Sequence, residues 1–141
     1  MENLKANLSI NINASGSRVW EALTDPALIK QYLFDSDTIS DWKKGSTITW
    51  SGVYEGKQYQ DKGSIIEIEP EKLLHISHYS PLSGKPDIPE NYHHVVYQLT
   101  SEKDFTTLTL TQDNVSNKQE LEHVEGNWNA VLQGIKKLLE D

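Results

Sequence analysis

The sequence predicts an α+β fold in which an antiparallel sheet packs against one long closing helix. Two observations lead to this prediction. In residues 4–13 and 46–113, apolar and polar residues alternate with a period of two, which is typical of strands with one buried face. From Ser116 to Asp141, apolar residues instead recur at helical spacing and form one stripe. The strands and the long helix therefore occupy separate stretches of the chain, as in α+β domains.

The first predicted strand runs from Leu4 to Asn13, where every second residue is apolar. Residues 14–17 interrupt this alternation and supply candidate caps for a short helix that ends near Thr24. Asp25 and Pro26 predict the start of a second short helix. Asp25 can cap it, and proline at the first helical position has no N–H to leave unpaired.

An antiparallel meander is predicted next, with a short additional strand at residues 38–40. Its main strands cover Ser46–Tyr54, Tyr59–Glu69, Leu73–Tyr79, His94–Ser101 and Phe105–Asp113. Most of the breaks between them contain turn-forming residues. The connection from Ser80 to Tyr92 is longer, and it contains three prolines and one glycine. It is too long for a hairpin loop, and it is either a lid or an ordinary surface excursion.

The closing helix is predicted from Ser116 to Asp141. Ser116 and Gln119 have the S-x-x-Q spacing of a capping box, in which two side chains satisfy free backbone N–H groups. The apolar stripe needs a broad partner, which the meander can supply. The stripe consists of Leu121, Val124, Trp128, Val131, Leu132, Ile135, Leu138 and Leu139.

Composition limits the function classes. A chain of 141 residues fits one domain with a real core, expected to span residues 1–141, and the absence of cysteine excludes disulfides and thiolate chemistry. The N-terminus lacks the pattern of a signal peptide, and no apolar run could span a bilayer. A cytoplasmic protein without membrane insertion is therefore expected. A net charge of −8 with scattered lysines argues against nucleic acid as a partner.

Four segments resemble the START-like (SRPBCC) superfamily, in the same order along the chain. They are Arg18–Leu33, with its V-W-E-A-L-T-D-P core, Gly63–Pro70, Leu108–Gln112 and Trp128–Leu139. Within this superfamily, the chain is most similar to the family homologous to the C-terminal domain of the activator of heat-shock protein 90 ATPase. The resemblance covers essentially the whole chain.

This resemblance implies the helix-grip fold, in which a curved antiparallel sheet wraps the long C-terminal helix and leaves a cavity between them. The sequence departs from the family pattern at two places. Asn127 stands where the family has a glycine directly before Trp128, with the glycine displaced to Gly126, and Tyr32 replaces a tryptophan. Both changes bear on the size and polarity of the cavity.

The predicted inner face of the sheet includes Ile66 and Ile68 among its apolar residues, and it also carries a small polar set. An apolar pocket with a few convergent polar groups orients a small ligand. Alternatively, each polar group finds a partner within the protein. The candidate ligand-binding residues are Trp50, Tyr54, His78, Tyr97, Gln112 and Trp128.

Two pairs of histidines, His75 with His78 and His93 with His94, suggest a metal hypothesis. At these spacings in a strand the two side chains of each pair point to opposite faces, so neither pair can share one ion. A metal site would need one histidine from each pair and a carboxylate from another strand. The sequence predicts no metal, no cofactor and no nucleophilic catalysis, although acid–base chemistry by His78 or Tyr97 stays open.

Three functions are compatible with the sequence. The leading hypothesis is a cytoplasmic binding module that holds an apolar or aromatic small molecule, lipid-like or polyketide-like, between sheet and helix. The second is a co-chaperone-like domain that acts on the heat-shock protein 90 ATPase. The third is a polyketide cyclase or dehydratase-like enzyme. The fold supports all of them, so the site has to decide.

Overall fold

Residues 4–140, which this computed structural model describes, form seven strands, three α-helices and two single-turn 3₁₀ helices. The strands are β1 (Leu4–Ile12), β2 (Asp37–Ser40), β3 (Thr47–Tyr54), β4 (Lys57–Glu69), β5 (Leu73–His78), β6 (His93–Ser101) and β7 (Thr106–Val115). The helices are α1 (Gly16–Thr24), α2 (Pro26–Tyr32) and α3 (Lys118–Glu140). The 3₁₀ helices, Pro81–Ser83 and Pro89–Asn91, lie between β5 and β6.

The seven strands form one curved antiparallel sheet in the order β1-β7-β6-β5-β4-β3-β2. Strands β2 to β7 follow one another as a meander, and β1 pairs with β7 at the opposite edge from β2. Helix α3 packs its apolar stripe into the core that the sheet surrounds. The predicted helix-grip fold is therefore confirmed, and the short strand predicted at residues 38–40 is the edge strand β2.

The stripe of α3 holds the helix on the sheet. Val131, Leu132, Ile135 and Leu139 are buried, and Trp128 packs half-buried against the same core. Each buried aliphatic side chain contributes about 1.5–3 kcal/mol, so this stripe is the main attachment of the helix. Within residues 4–140, no helix is long and apolar enough to cross a membrane. The predicted last helical residue, Asp141, lies outside the described residues.

The cap of α3 differs by one residue from the prediction. Asn117 Oδ1 accepts a hydrogen bond from the backbone N–H of Glu120 at 2.8 Å, and Glu120 Oε2 accepts one from the N–H of Ser116 at 3.4 Å. This reciprocal arrangement is close to a capping box, with Asn117 and Glu120 in the roles predicted for Ser116 and Gln119. Asparagine and serine cap helices about equally well, so the sequence pattern fitted both pairs.

The starts of the two short helices agree with the prediction. Ser15 Oγ accepts a hydrogen bond from the N–H of Arg18 at 3.2 Å, and Asp25 Oδ1 accepts one from the N–H of Ala27 at 2.9 Å. Pro26 opens α2, where no hydrogen bond is lost. Local sequence is enough to place both starts because each cap uses residues only two or three positions apart.

A β-bulge in β4 changes which isoleucine faces the core. The register between β4 and β5 shifts by one residue after Ile65, so that Ile66 is an extra residue on its strand. Ile65 is therefore 1% exposed, whereas Ile66 is 36% exposed. The predicted inward position of Ile66 is wrong, because strict alternation does not survive an inserted residue. Ile68, beyond the bulge, packs against the core as predicted.

Gly63 lies where β4 passes very close to β5. A Cβ atom added to Gly63 would lie 1.8 Å from the backbone oxygen of Ser77, a distance that no real side chain could occupy. Beyond this point β4 stays attached to the end of β5, since Lys62 and Tyr79 exchange two backbone hydrogen bonds of 3.0 and 2.8 Å. The glycine thus allows β4 to continue from the centre of the sheet to the end where the candidate site lies.

The close contact of α3 with the short helices is at Gly134. A Cβ atom added there would lie 3.1 Å from the Cβ of Tyr32, so the missing side chain makes room for α2. In contrast, an added Cβ at Gly126 would meet nothing within 4 Å, and Asn127 is exposed. The departure from the family pattern beside Trp128 therefore falls on the outer side of the helix, not on its contact with the sheet.

Candidate functional site

A cleft of about 320 Å³ opens at one end of the sheet, between the β5–β6 connection and the start of α3. We call it the loop cleft. It is lined by polar residues: His78, Ser80, Ser83, Lys85, Asn91, His93 and Glu120. Two of these come from strand ends, four from the connection and one from the helix. The connection predicted from Ser80 to Tyr92 is thus one wall of a cleft.

The connection is held in place by bonds to the sheet and within itself. The hydroxyl of Tyr79 donates to the backbone oxygen of Lys85 at 2.5 Å, and the hydroxyl of Tyr92 donates to Asp87 Oδ1 at 2.6 Å. Asp87 also forms an ion pair with Lys62 of β4. The hydrogen bond from Lys62, and after it the one from Tyr92, lowers the pKa of the Asp87 carboxyl. The wall therefore has a defined position over the cleft.

Two imidazole rings lie on the sheet side of the loop cleft. His78 ends β5 and His93 begins β6, and the two residues are directly paired across the strands. Their rings are stacked, with centroids 6.4 Å apart and an interplanar angle of 26°. His93 Nδ1 lies 3.0 Å from the backbone oxygen of Asp113. Each ring is thus oriented from the protein side, and both line the same opening.

Asp61 supports His78 from β4. Its Oδ2 lies 2.8 Å from His78 Nε2, and the two side chains are 16% and 30% exposed. The other carboxylate oxygen, Oδ1, is buried without a hydrogen-bond partner among the described residues. Trp50, which pairs with Asp61 across β3 and β4, packs edge-on to His78 with ring centroids 5.2 Å apart. Trp50 is therefore a buried support of the cleft and only 7% exposed.

Tyr97, Gln112 and Trp128 form a second cluster in the interior. The indole N–H of Trp128 donates to Gln112 Oε1 at 2.6 Å, and the ring of Tyr97 meets the indole edge-on at 6.2 Å. Burial raises the pKa of the Tyr97 phenol well above its ordinary value. These three predicted site residues come together in the interior between sheet and helix, and none of them lines the loop cleft.

Tyr54 lies apart from both groups. It is the last residue of β3, directly before the turn at residues 55–56, and it is 60% exposed. The alternation of β3 predicts an inward position for Tyr54, but Val53 and Tyr54 are both exposed because the strand extends past the end of the core there. The structure therefore does not bring Tyr54 to the other predicted site residues.

His75 and His94 pair on the opposite face of the sheet. His75 Nε2 and His94 Nδ1 are 2.9 Å apart, and the backbone N–H of His94 donates to Asp113 Oδ1 at 2.6 Å. In each of the two histidine pairs noted in the sequence, one histidine therefore lies on the inner face of the sheet and the other on the outer face. Among residues 4–140, no three histidine, aspartate or glutamate side chains are arranged so that they could hold a metal ion.

The sequence prediction missed His93, Asp61 and the polar residues of the connection. His93 had a usable signal, because the residues that flank a connection between antiparallel neighbours pair with each other, as His78 and His93 do. Asp61 had a partial signal, because the hairpin register of β3 and β4 places it opposite Trp50. Its contact with His78 also depends on the pairing of β4 with the end of β5, which no local pattern records.

The curved sheet gripping a C-terminal helix, with two short helices after the first strand, defines this chain as a START-like (SRPBCC) domain. The polar cleft at the open end of that grip lies beside the closing helix. The chain belongs to the family of Activator of Hsp90 ATPase homolog 1-like proteins, whose family model matches residues 13–140.

Several solved structures have the same fold as this chain. A protein from Cytophaga hutchinsonii, determined in solution, is 49% identical, with 99% of this chain and 97% of that chain covered and a TM-score of 0.88. The Aha1 dimer from Colwellia psychrerythraea is 22% identical, with coverage of 97% and 96% and a TM-score of 0.77. CalU16 from Micromonospora echinospora is 23% identical, with coverage of 99% and 85% and a TM-score of 0.72. No protein with a curated description matches this chain.

Proposed function

We propose that this domain is a binding module that takes an aromatic or otherwise apolar small molecule by its polar end in the loop cleft. The observation that carries this proposal is the stacked pair His78 and His93 on the wall of a cleft of about 320 Å³. Small-molecule sites are concave and contain a few well-placed polar groups. Here the two imidazoles come from two strands, and each is held from behind, His78 by Asp61 and Trp50 and His93 by the backbone oxygen of Asp113.

The chemistry of the lining favours binding over covalent catalysis. Ser80 Oγ and Ser83 Oγ accept hydrogen bonds from backbone N–H groups of their own connection, at 3.2 and 3.3 Å. Within residues 4–140, neither hydroxyl is hydrogen-bonded to a histidine that could take its proton. A nucleophile needs such a base within hydrogen-bond reach. The flat faces of the two imidazoles are instead suited to packing against an aromatic ring.

The experiment is a titration of isotope-labelled protein with a panel of lipids and aromatic metabolites, followed by backbone amide shifts. Saturable shifts are expected around His78 and His93 for at least one probe. His78→Gln should weaken them, whereas His75→Gln should not, because His75 lies on the same strand but on the outer face. A panel in which no probe perturbs residues near the loop cleft would contradict the proposal.

A second candidate function is an interaction with the heat-shock protein 90 ATPase through the surface of the domain. The internal hydrogen bond from Trp128 to Gln112 favours it, since these two polar groups already satisfy each other within the protein and do not need a ligand. The family description points the same way. A pull-down with the cognate chaperone and a measurement of its ATPase rate test this function, and absence of both effects would remove it.

The Asp61–His78 pair is a specific reason to retain the cyclase or dehydratase alternative. A carboxylate that orients an imidazole is the arrangement of many general bases. Turnover of a polyketide-like substrate that His78→Ala abolishes, with the protein still folded, would promote this function above binding. Binding without turnover in the same assay would reject it.

A further inference from the structure

We infer that the loop cleft selects ligands by a hydroxyl group that donates a hydrogen bond to the acceptor nitrogen of His78 or His93, and that it discriminates against carboxylates. This inference rests on the proposed binding function and names its ligand class. It depends on which nitrogen of each imidazole carries the proton, because that decides whether the cleft offers donors or acceptors.

The tautomer of His93 is determined by its backbone partner. His93 Nδ1 lies 3.0 Å from the carbonyl oxygen of Asp113, and a carbonyl oxygen can only accept. Nδ1 must therefore carry the hydrogen. In the neutral ring, the other nitrogen, Nε2, is then a hydrogen-bond acceptor.

His78 has the opposite tautomer, which also leaves one ring nitrogen as a hydrogen-bond acceptor. Its Nε2 lies 2.8 Å from Asp61 Oδ2, and an ionised carboxylate can only accept, so Nε2 carries the hydrogen. Nδ1 is left as the acceptor. Within residues 4–140, neither His78 Nδ1 nor His93 Nε2 has a partner, and neither is among the buried unpartnered atoms. Two acceptor nitrogens therefore remain for a ligand.

The charges around the cleft disfavour an anionic ligand. Asp61 lies behind His78, and Glu120 lines the cleft from α3, whereas Lys85 is the one cationic side chain in the lining described above. Two carboxylates against one ammonium leave the surroundings negative. A carboxylate would also present oxygen lone pairs to the lone pairs of both imidazoles. A neutral hydroxyl avoids both penalties.

The test uses three probes with the same ring system: 2-naphthol, 2-methoxynaphthalene and 2-naphthoate. The amide titration at pH 8 should show 2-naphthol binding at least about tenfold more tightly than either analogue, the loss expected for a hydrogen bond to an otherwise unpaired acceptor. In His93→Gln the preference for naphthol over its methyl ether should shrink. In the matched variant His94→Gln, on the outer face, it should persist.

A direct reading of the protons completes the test. Long-range proton–nitrogen correlation spectra of the labelled protein should show His78 protonated at Nε2 and His93 at Nδ1. In Asp61→Asn, the new amide can donate to His78 Nε2, so the ring can move its proton to Nδ1 and offer a donor to the cleft. The preference for naphthol should then fall, while the His93 signals stay unchanged.

The outcomes separate the two proposals. If none of the three probes nor any member of the wider panel perturbs the cleft, the binding function itself fails. If the methyl ether or 2-naphthoate binds as tightly as 2-naphthol, the domain binds ligands but the selection by hydroxyl is overturned. Reversed tautomers at His78 and His93 would overturn it as well, whatever the variants do to stability.

Discussion

At the scale of single residues, Gly63 shows how one position shapes the site. The backbone of β5 occupies the space where its side chain would be. We expect Gly63→Ala to lower the free energy of unfolding by about 1–3 kcal/mol, since the strands must separate to admit a methyl group. Urea denaturation measures this change.

The matched control for that prediction is Gly126→Ala. An added Cβ there meets nothing within 4 Å, and the residue is inside α3, where alanine is favoured over glycine by about 0.8–1 kcal/mol. This variant should therefore be more stable than the wild type. Equal stability of the Gly63→Ala variant and the wild type would show that β4 and β5 can separate freely.

Trp128 and Gln112 provide a prediction about the interior. Trp128→Phe removes the indole N–H and leaves the buried amide oxygen of Gln112 without its partner. We expect a loss of about 1–3 kcal/mol in the free energy of unfolding, beyond the effect of the smaller ring. Adding Gln112→Leu should restore part of it, because the unpaired polar group is then gone.

A double-mutant cycle on these two residues gives the coupling energy directly. Additive effects would mean that the bond contributes nothing and that the indole is available to a ligand instead. A clear coupling would identify Trp128 as a structural part of the core, and the loop cleft would then be the place where a ligand is held.

At the scale of elements, the question is which of two adjacent residues, Ser116 or Asn117, caps the start of α3. Asn117 makes the cap hydrogen bond to Glu120, so Asn117→Ala should destabilise the domain by about 1 kcal/mol. Ser116→Ala should have a much smaller effect on thermal or urea unfolding. The reverse order of the two effects would restore the cap that the S-x-x-Q pattern predicts.

The paired strands β5 and β6 carry a pH-dependent contact on their outer face. Burial, followed by the charge of His94, lowers the pKa of His75 below its ordinary value of 6.5, against the opposing effect of Asp113 and Glu67. The folded state thus binds this proton less readily than the unfolded state does. The stability of the folded state is therefore unaffected by this group above pH 6.5. The free energy of unfolding decreases as the pH falls from 6.5 through the lowered pKa of the folded state.

We therefore expect His75→Gln to reduce the fall in the free energy of unfolding below pH 6.5, as measured by urea denaturation across a pH series. His123→Gln is the control, because His123 lies on the exposed face of α3. Its pH profile should match that of the wild type. Parallel profiles for the wild type and His75→Gln would show that the lowered pKa has no role in stability.

At the scale of the whole molecule, the connection between β5 and β6 closes one end of the grip. Its ion pair, Asp87 with Lys62, is exposed, so Asp87→Asn should change global stability by less than about 1 kcal/mol. The same change removes the charged acceptor of the Tyr92 hydroxyl. Amides of the connection, such as that of Tyr92, should then exchange with solvent faster in hydrogen-exchange measurements.

Asp37→Asn is the control for this local loosening. It breaks another exposed ion pair, to Lys30, far along the sheet at β2. Exchange in the β5–β6 connection should be unaffected by it. Unchanged exchange in Asp87→Asn would mean that other contacts, such as the hydrogen bond from Tyr79 to Lys85, hold the wall of the cleft without the ion pair.

The parts of the fold that the sequence predicts are those with a local cause. The alternation of β1, the cap and proline at Asp25 and Pro26, and the stripe of α3 each depend on residues within one or two turns or a few strand positions. Part of the candidate site follows in the same way. His78 lines the cleft, and Trp50 supports it.

The tertiary structure decided what depends on register and on chain crossing. The bulge in β4 reversed Ile65 and Ile66, the end of the core left Tyr54 outside, and the close approach of β4 to β5 at Gly63 brought Asp61 to His78. The sequence by itself therefore determined the elements and their buried faces, because these arise from neighbouring residues. Which polar groups meet in the cleft was decided by pairing between strands distant in sequence, where one extra residue changes every contact beyond it.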